Sequence, residues 1–539
     1  MRWWGWGEEE GAVALPDAAS SLLRTELGLN GSESSPRVAL EDVALPDPAL
    51  AATAHRALEQ AVGAERVLED REARVTHAVG KSFADLVQIR SGDASTAPDA
   101  VVRPESAKQV AAVLSACSEH GIAVIPFGGG TSVVGGVAAL RGPHSAAISL
   151  DLGGMDRVLD LDRKSLTAVL EPGLLGPQLE RLLGTAGLTL GHYPQSFEFS
   201  TVGGWVATRS AGQASTGYGR IDEVVEAVRC VAPVGELVTR DVPATAAGPS
   251  LRELLVGSEG TLGVITAATL RVRPLPQSRH YEAWSFRSFE EGVEAFRIAE
   301  QVAASPDVAR LSDEHETRLS KALASNGGTA ERLGKAYLGL RGHEDGCIAI
   351  AGFEGTAEDV ARRRTRAAGL LRGGGAISLG GRPGRSWLMS RFSTPYVRDE
   401  LLDGGVMVET LETATTWSRL QGLYAAVGGA LRESLSADGV QPFVMCHVSH
   451  LYASGASLYF TFFAPQEGGS RLDRWWDAKS AACEAIMSNG GTLTHHHGVG
   501  RDHAPWMGDE VGQLGLDVLR AAKERLDPDG IMNPDKLLG

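Results

Sequence analysis

The segment Gly490-Gly491-Thr492-Leu493-Thr494-His495-His496-His497-Gly498-Val499-Gly500 sets three imidazoles between glycines that admit close approach of a ligand. Neutral imidazole exchanges protons near physiological pH, so the cluster favours a catalytic or substrate-orienting role over a purely structural hydrogen-bond cluster. In an extended segment His495 and His497 would share one face and His496 the other, which argues against facial trihistidine metal binding; no metal is expected. A second candidate is Ser457-Leu458-Tyr459-Phe460-Thr461-Phe462-Phe463, whose aromatic and β-branched content predicts a strand. Alternation separates Tyr459 and Thr461 from Phe460 and Phe462. A phenol on such a strand can pass a proton at fixed geometry, although a pKa of about 10 makes it a weak base without help, and an ordinary core tyrosine fits the same pattern. Arg310 in Val308-Ala309-Arg310-Leu311 and Arg398 in Tyr396-Val397-Arg398-Asp399 carry permanent charge able to clamp a phosphate or carboxylate. Surface salt bridges are the plainer use of either arginine.

These side chains need a scaffold, and glycine turns make much of it readable. The 539 residues include 66 glycines, about 12% against a usual ~7%. In ESAKQVAAVLSACSEHG, residues Val110, Val113, Leu114 and Cys117 follow the spacing of a buried helical stripe, and Gly121 supplies the stop. Ile122 to Ile125 then read as a buried strand leading into Pro126-Phe127-Gly128-Gly129-Gly130-Thr131-Ser132. Without β-carbons such a loop can turn consecutive N–H groups toward a pyrophosphate, with hydroxyls from Thr131 and Ser132. It has neither the GxGxxG spacing nor the Walker lysine, and by itself it is also compatible with a tight structural turn. Three more constellations accompany it. PQSFEFSTVGGWVATRSAG (194–212) combines hydroxyls with Gly203 and Gly204; YGRIDEVVEAVRCVAPVGEL predicts a helix start, a strand and a hairpin; Gly257-Ser258-Glu259-Gly260-Thr261-Leu262-Gly263-Val264-Ile265 runs a turn into a buried strand. Together they can line one extended cofactor.

The organisation follows from texture. Residues 1–95 are rich in Ala and charge and predict a helical region; 96–276 alternate short β-rich runs with glycine turns; 277–472 mix helix and strand, with a glycine linker at Gly373 to Gly375; 473–539 turn helical and include the loop with the histidines. Lys and Arg total 51 against 67 Asp and Glu, a net charge of −16 that disfavours nucleic acid as a partner and gives no basic patch for an anionic bilayer. Five cysteines without a CxxC pair suggest a reducing compartment, the N-terminus lacks a signal-peptide core, and the uncharged stretch from Gly121 to Leu140 holds too much glycine to span a membrane. A cytoplasmic location is the expectation.

PFGGGTSV, FSTVGGW and GSEGTLGVIT, in that order, resemble the FAD-binding domain of the vanillyl-alcohol oxidase, or p-cresol methylhydroxylase, type. That resemblance implies an α+β fold: a two-part FAD-binding domain, an α+β substrate-binding cap and helical terminal segments. It implies that Pro126, Phe127, Gly128, Gly129, Gly130, Thr131 and Ser132 cradle the pyrophosphate. It sets Gln195, Ser196, Ser200, Thr201, Thr208, Ser210 and Ala211 near the isoalloxazine ring, and Glu259, Gly260, Thr261, Gly263, Val264 and Ile265 on the adenosine side. Relatives that attach flavin covalently use a histidine just after the first loop; Thr131 to Gly136 contain none, so non-covalent FAD is expected. Over most of the chain, RWWGWG, HYPQSFEFSTVGGW, VRD, ETLET, GASLYFTFF and SNGGTLTHHHGVG resemble the alkyldihydroxyacetonephosphate synthase family. The resemblance implies replacement of the acyl group of acyl-dihydroxyacetone phosphate by a long-chain alcohol through a flavin N5 adduct. Tyr459 and His496, flanked by His495 and His497, then match the catalytic groups, and Arg310, Arg398 and Thr410 the substrate-binding ones. Thr410 stands where the family has serine and His447 where it has arginine, so these departures bear on substrate detail. A homodimer, an amphiphilic lipid-like substrate and peripheral contact with the inner membrane face are implied as well. Related 2-hydroxy-acid dehydrogenases and oxidases, with His-Glu-His where this chain has His495-His496-His497, are the alternative.

Overall fold

The computed structural model describes residues 1–11, 14–29, 34–325, 328–436, 441–466 and 471–538. The predicted helix runs Ala107–His120, with the Ser106 hydroxyl accepting from the Gln109 N–H and Gly121 closing it in the left-handed conformation at φ 62°. It buries Val110, Val113, Leu114 and Cys117 as the spacing predicts. The strand that follows, Ile122–Phe127, lies parallel to Ala146–Asp151, which is in turn parallel to Ala100–Val102, with Val67–Leu68 antiparallel at the edge. Ile531 and Met532, from the far end of the chain, complete the core of this sheet. A second, antiparallel sheet runs in the order Val158–Asp162, Thr167–Leu170, Val264–Arg271, Val225–Ala232, Gly235–Val238. Val225–Ala232 and Gly235–Val238 form the predicted hairpin.

The cap is a seven-stranded antiparallel sheet in the order Ile377–Gly380, Ser278–Phe286, Cys347–Gly355, Val308–Ser312, Phe443–Tyr452, Gly455–Pro465, Val406–Thr416. One face carries Leu411, Val444, Cys446, Phe460 and Phe462 and is buried beneath helices Phe289–Gln301, Ala357–Gly373, Trp417–Leu435 and Arg471–Ser488. Burial of each large apolar side chain there contributes about 1.5–3 kcal/mol. The opposite face is divided. At one end Val406, Val408, Phe443, Met445 and Phe463 are covered by helices Asp17–Glu26 and Glu314–Ala324, and the other end is polar. Gly373 to Gly375 are not a linker between separate units: they turn helix Ala357–Gly373 into the edge strand Ile377–Gly380 of the same sheet.

The first 95 residues pack against both halves. Helix Ala52–Val62 joins Ala107–His120 in the core of the first sheet, whereas Phe83 and Leu86 of helix Phe83–Arg90 enter the core of the cap. The RWWGWG segment is pinned by Asp399, which accepts from Arg2 and from the N–H of Trp6, and by Lys81, whose Nζ donates to the carbonyls of Arg2 and Trp3. Among the described residues no helix is long and apolar enough to cross a membrane.

Candidate active site

The polar end of the cap face is built by strand register. Tyr459 pairs with Glu412 on one side and His447 on the other, His447 pairs with Ser312, and Arg310 shares the face of Ser312 two residues away. Thr410 pairs with Thr461, one step along the same face. The Tyr459 ring stacks on His447 with centroids 4.8 Å apart, and its phenol is hydrogen-bonded to Thr410. Burial pushes that phenol up to about 12, so it is protonated at neutral pH and suited to donate. Arg310 is already engaged: it donates to Glu316 at 2.7 Å and to Nε2 of His447 at 3.1 Å, while His447 Nδ1 lies 3.0 Å from the same Glu316 carboxylate. Burial opposes charge on Glu316, but Arg310 and His447 outweigh it and hold the carboxyl at about 2.

Above this face sits the histidine turn, held by Glu412. The wholly buried carboxylate of Glu412 accepts the N–H groups of His495, His496 at 3.1 Å and His497 at 2.8 Å, and the Thr494 hydroxyl at 2.6 Å. Those four donors bend residues 494–497 around one side chain, so the strand-like alternation expected from three consecutive histidines does not apply. All three rings converge, His495 to His496 at 5.2 Å and His496 to His497 at 4.7 Å between centroids, and His496 stacks over Tyr459 at 6.0 Å. Desolvation lowers the basicity of His495, His496 and His497, keeping the rings neutral. Burial also works against charge on Glu412, yet the histidine residues, through the N–H groups they donate, and the Thr494 hydroxyl hold its carboxyl well below the usual range. A bulge in the Phe443–Tyr452 strand between Val448 and Leu451 turns His450 toward the group, its ring 5.0 Å from His495. One nitrogen each of His450, His495 and His496 lies within 4.8 Å of the others.

Arg398, on helix Thr394–Asp403, stands apart from the Arg310 row. Its Nη1 donates to the Lys81 carbonyl at 2.7 Å, while Nε and Nη2 are buried with no partner among the described residues.

On the FAD side the glycine loops interlock. A β-carbon on Gly129 would lie 1.7 Å from the Phe199 carbonyl oxygen, and one on Gly128 2.4 Å from the Thr201 hydroxyl. Gly260, at φ 74°, packs on Pro126, so the third loop meets the first. Among the described residues the N–H groups of residues 128–132 donate to no protein acceptor, the arrangement an anionic pyrophosphate requires. The His192 Nδ1 and Asn533 Oδ1 atoms are likewise buried without partners. These groups fit FAD. Other expected residues serve the scaffold: Ser200 accepts from Trp205 at 2.7 Å, Thr208 donates to the Gly204 carbonyl, Thr261 to the Ser258 carbonyl and Gln195 to the Arg391 carbonyl. Thr201 caps helix Val202–Thr208, Ser132 accepts from Gly136, Ser210 meets His192 at 3.1 Å, and Glu259 accepts the N–H groups of Val499 and Gly500, tying the histidine turn to the FAD side. Phe199, between Ser196 and Ser200, stacks edge-on to Trp6. Thr131, Ala211, Gly263, Val264 and Ile265 lie along the same loops and the start of strand Val264–Arg271. Sequence reasoning overlooked Glu412, His450, His192 and Asn533. Glu412 and His192 lie within the motifs ETLET and HYPQSF, which carry the family resemblance.

Residues 98–241 match the family of the FAD binding domain, and residues 275–537 that of FAD linked oxidases, C-terminal domain. Alkyldihydroxyacetonephosphate synthase of Dictyostelium discoideum is 33% identical over all of this chain and 93% of its own length. The chain belongs to the alkyldihydroxyacetonephosphate synthase family. The Trypanosoma brucei brucei synthase is 35% identical over 92% of this chain and 82% of its own length. A solved alkyldihydroxyacetonephosphate synthase structure superposes with a TM-score of 0.87 at 30% identity, covering 100% of this chain and 99% of the other. As a member of the synthase family the chain is an FAD-binding enzyme, and its α+β architecture is that of the p-cresol methylhydroxylase type.

Proposed function

We propose that this enzyme replaces the acyl group of acyl-dihydroxyacetone phosphate by a long-chain alcohol, forming the ether bond of an ether-lipid precursor. Bound FAD supplies an oxidised isoalloxazine ring, an electrophile for the substrate carbon, with no net redox change over the cycle. His496, kept neutral by burial, takes the proton from that carbon. Tyr459, kept protonated by burial, donates to the departing fatty-acid oxygen and recovers a proton from the hydroxyl of the incoming alcohol, while Thr410 and His447 fix the phenol. Arg398 clamps the phosphate with its two unpartnered N–H groups, and Arg310, shared between Glu316 and His447, holds positive charge behind the tyrosine. FAD is held non-covalently, through the free N–H groups of residues 128–132. A homodimer and a cytoplasmic location enter on the resemblance and composition alone. Contact with a bilayer is supported by Leu333, Tyr337 and Leu340, exposed beside Arg332 and Lys335 on helix Thr329–Leu340.

The single observation that carries the reading is the neutral His496 ring lying over the protonated Tyr459 ring with centroids 6.0 Å apart, a base and an acid side by side. Anaerobic stopped-flow with acyl-dihydroxyacetone phosphate should show a transient change in flavin absorption, and product analysis should show alcohol-for-acyl exchange. Tyr459→Phe and His496→Ala should keep the flavin spectrum and lose about 10²–10⁴-fold in turnover. Lasting flavin reduction by a 2-hydroxy acid, without exchange, would replace this reading by a 2-hydroxy-acid dehydrogenase or oxidase.

A further inference from the structure

One ring nitrogen of His496, Nδ1, begins a continuous line of hydrogen-bonding groups. His496 Nδ1 lies 2.9 Å from His495 Nδ1 and 3.6 Å from Glu412, so the neighbouring imidazole is its nearer partner. The other nitrogen of His495, Nε2, lies 2.6 Å from the hydroxyl of Tyr452. Tyr452 is in turn hydrogen-bonded to Arg220, whose side chain is 17% exposed and is anchored by Asp222 at 3.1 Å. His495 itself is buried, and both its ring nitrogens are committed to this line rather than to backbone groups.

We propose that His495, Tyr452 and Arg220 form a proton relay that connects His496 with solvent. The inference rests on the reading of His496 as the group that takes the substrate proton. Before transfer, His496 Nδ1–H donates to His495 Nδ1, and His495 Nε2–H donates to the Tyr452 oxygen. As His496 Nε2 binds the substrate proton, its Nδ1–H bond breaks and that proton joins His495 Nδ1. His495 releases its Nε2 proton to Tyr452, and the phenolic proton leaves to water beside Arg220. One proton enters at His496 and one departs at Tyr452; no electrons move and no ring stays charged. That matters because burial opposes an imidazolium at either histidine. Arg220 stabilises the tyrosine oxygen while the proton departs. The charged and titratable groups facing the line are Glu412, Tyr459, His192, His447, His450, His497 and Arg220, with Asp222 and Glu223 behind Arg220. His495 and Tyr452 are therefore positioning residues that act through His496.

The test uses the holoenzyme and Tyr452→Phe, which removes one hydroxyl and keeps the ring. Turnover should fall roughly 10- to 100-fold, at the low end of what positioned proton transfer contributes, with KM and the flavin spectrum unchanged. Added imidazole buffer should restore turnover in proportion to its concentration, which a merely structural hydroxyl would not allow. Unchanged turnover in Tyr452→Phe, or a loss that imidazole does not restore, overturns the relay while an inactive His496→Ala leaves the reading of the base standing. Full activity of His496→Ala overturns that reading and the relay with it. Stoichiometric metal whose removal abolishes turnover would also overturn the relay, because His495 would then be held as a ligand with His450 and His496.

Discussion

The carboxylate of Glu412 sits at the meeting point of four donors from residues 494–497, with no solvent to replace it. Glu412→Gln keeps the volume and an oxygen that can accept from Thr494, His496 and His497, but it turns an amide group toward the His495 N–H and removes the charge. Hydrogen bonds to a charged group contribute about 1.5–3 kcal/mol each, so the histidine turn should loosen and turnover should fall by about 10- to 100-fold. Assay and thermal melting of the purified holoenzyme check this; unchanged turnover would mean the rings are positioned without Glu412. The chemistry of His496 and Tyr459 was readable at this scale because residue type alone limits what imidazole and phenol can do. Glu412 was not, since it lies 83 positions before His495 and a single glutamate in a strand carries no local sign of what it binds.

Elements set how far the loops can approach one another. Gly129→Ala would drive a β-carbon into the Phe199 carbonyl, which is backbone and cannot rotate away. The loop must then withdraw, and the row of free N–H groups goes with it. FAD titration should show affinity at least about 10-fold weaker, equivalent to roughly 1.4 kcal/mol. Gly121→Ala gives the contrast: it has a left-handed backbone but open space around the position, so it should cost about 1 kcal/mol of stability and leave FAD affinity alone. Helix Ala107–His120 and strands Ile122–Phe127 and Gly455–Pro465 follow from local periodicity and end signals. The bend at residues 494–497 and the bulge at His450 do not, because a side chain from another strand imposes the first and an irregular partner register the second.

For the whole molecule, buried titratable groups set the response to pH. His192, His447, His450, His495, His496, His497 and His503 are all made less basic by burial. Below about pH 6.5 the unfolded chain takes up protons that these folded histidines refuse, so stability falls as pH falls. Asp85, raised by burial to about 6, and Asp313 and Glu259, each raised to about 7, act in the opposite sense over pH 7 to 4, but they are fewer. Lys81, lowered by burial to about 7, and Lys536, lowered to about 8, add stability as pH rises past those values. The thermal midpoint should therefore be higher at pH 7.5 than at pH 5; a midpoint that rises on acidification would show that the carboxyls dominate. The order of the glycine loops and the acid and base candidates were determined by the sequence itself, because each rests on short-range geometry or on the chemistry of one side chain, and the α+β class followed from the family resemblance that those motifs carry. Only the tertiary structure decided that Glu412 gathers the histidines, that Arg310 is already paired while Arg398 keeps two free N–H groups, and that His495 leads to Tyr452. Each of those depends on where distant backbone segments meet, and such meetings are fixed by sheet register and by the packing of the whole chain.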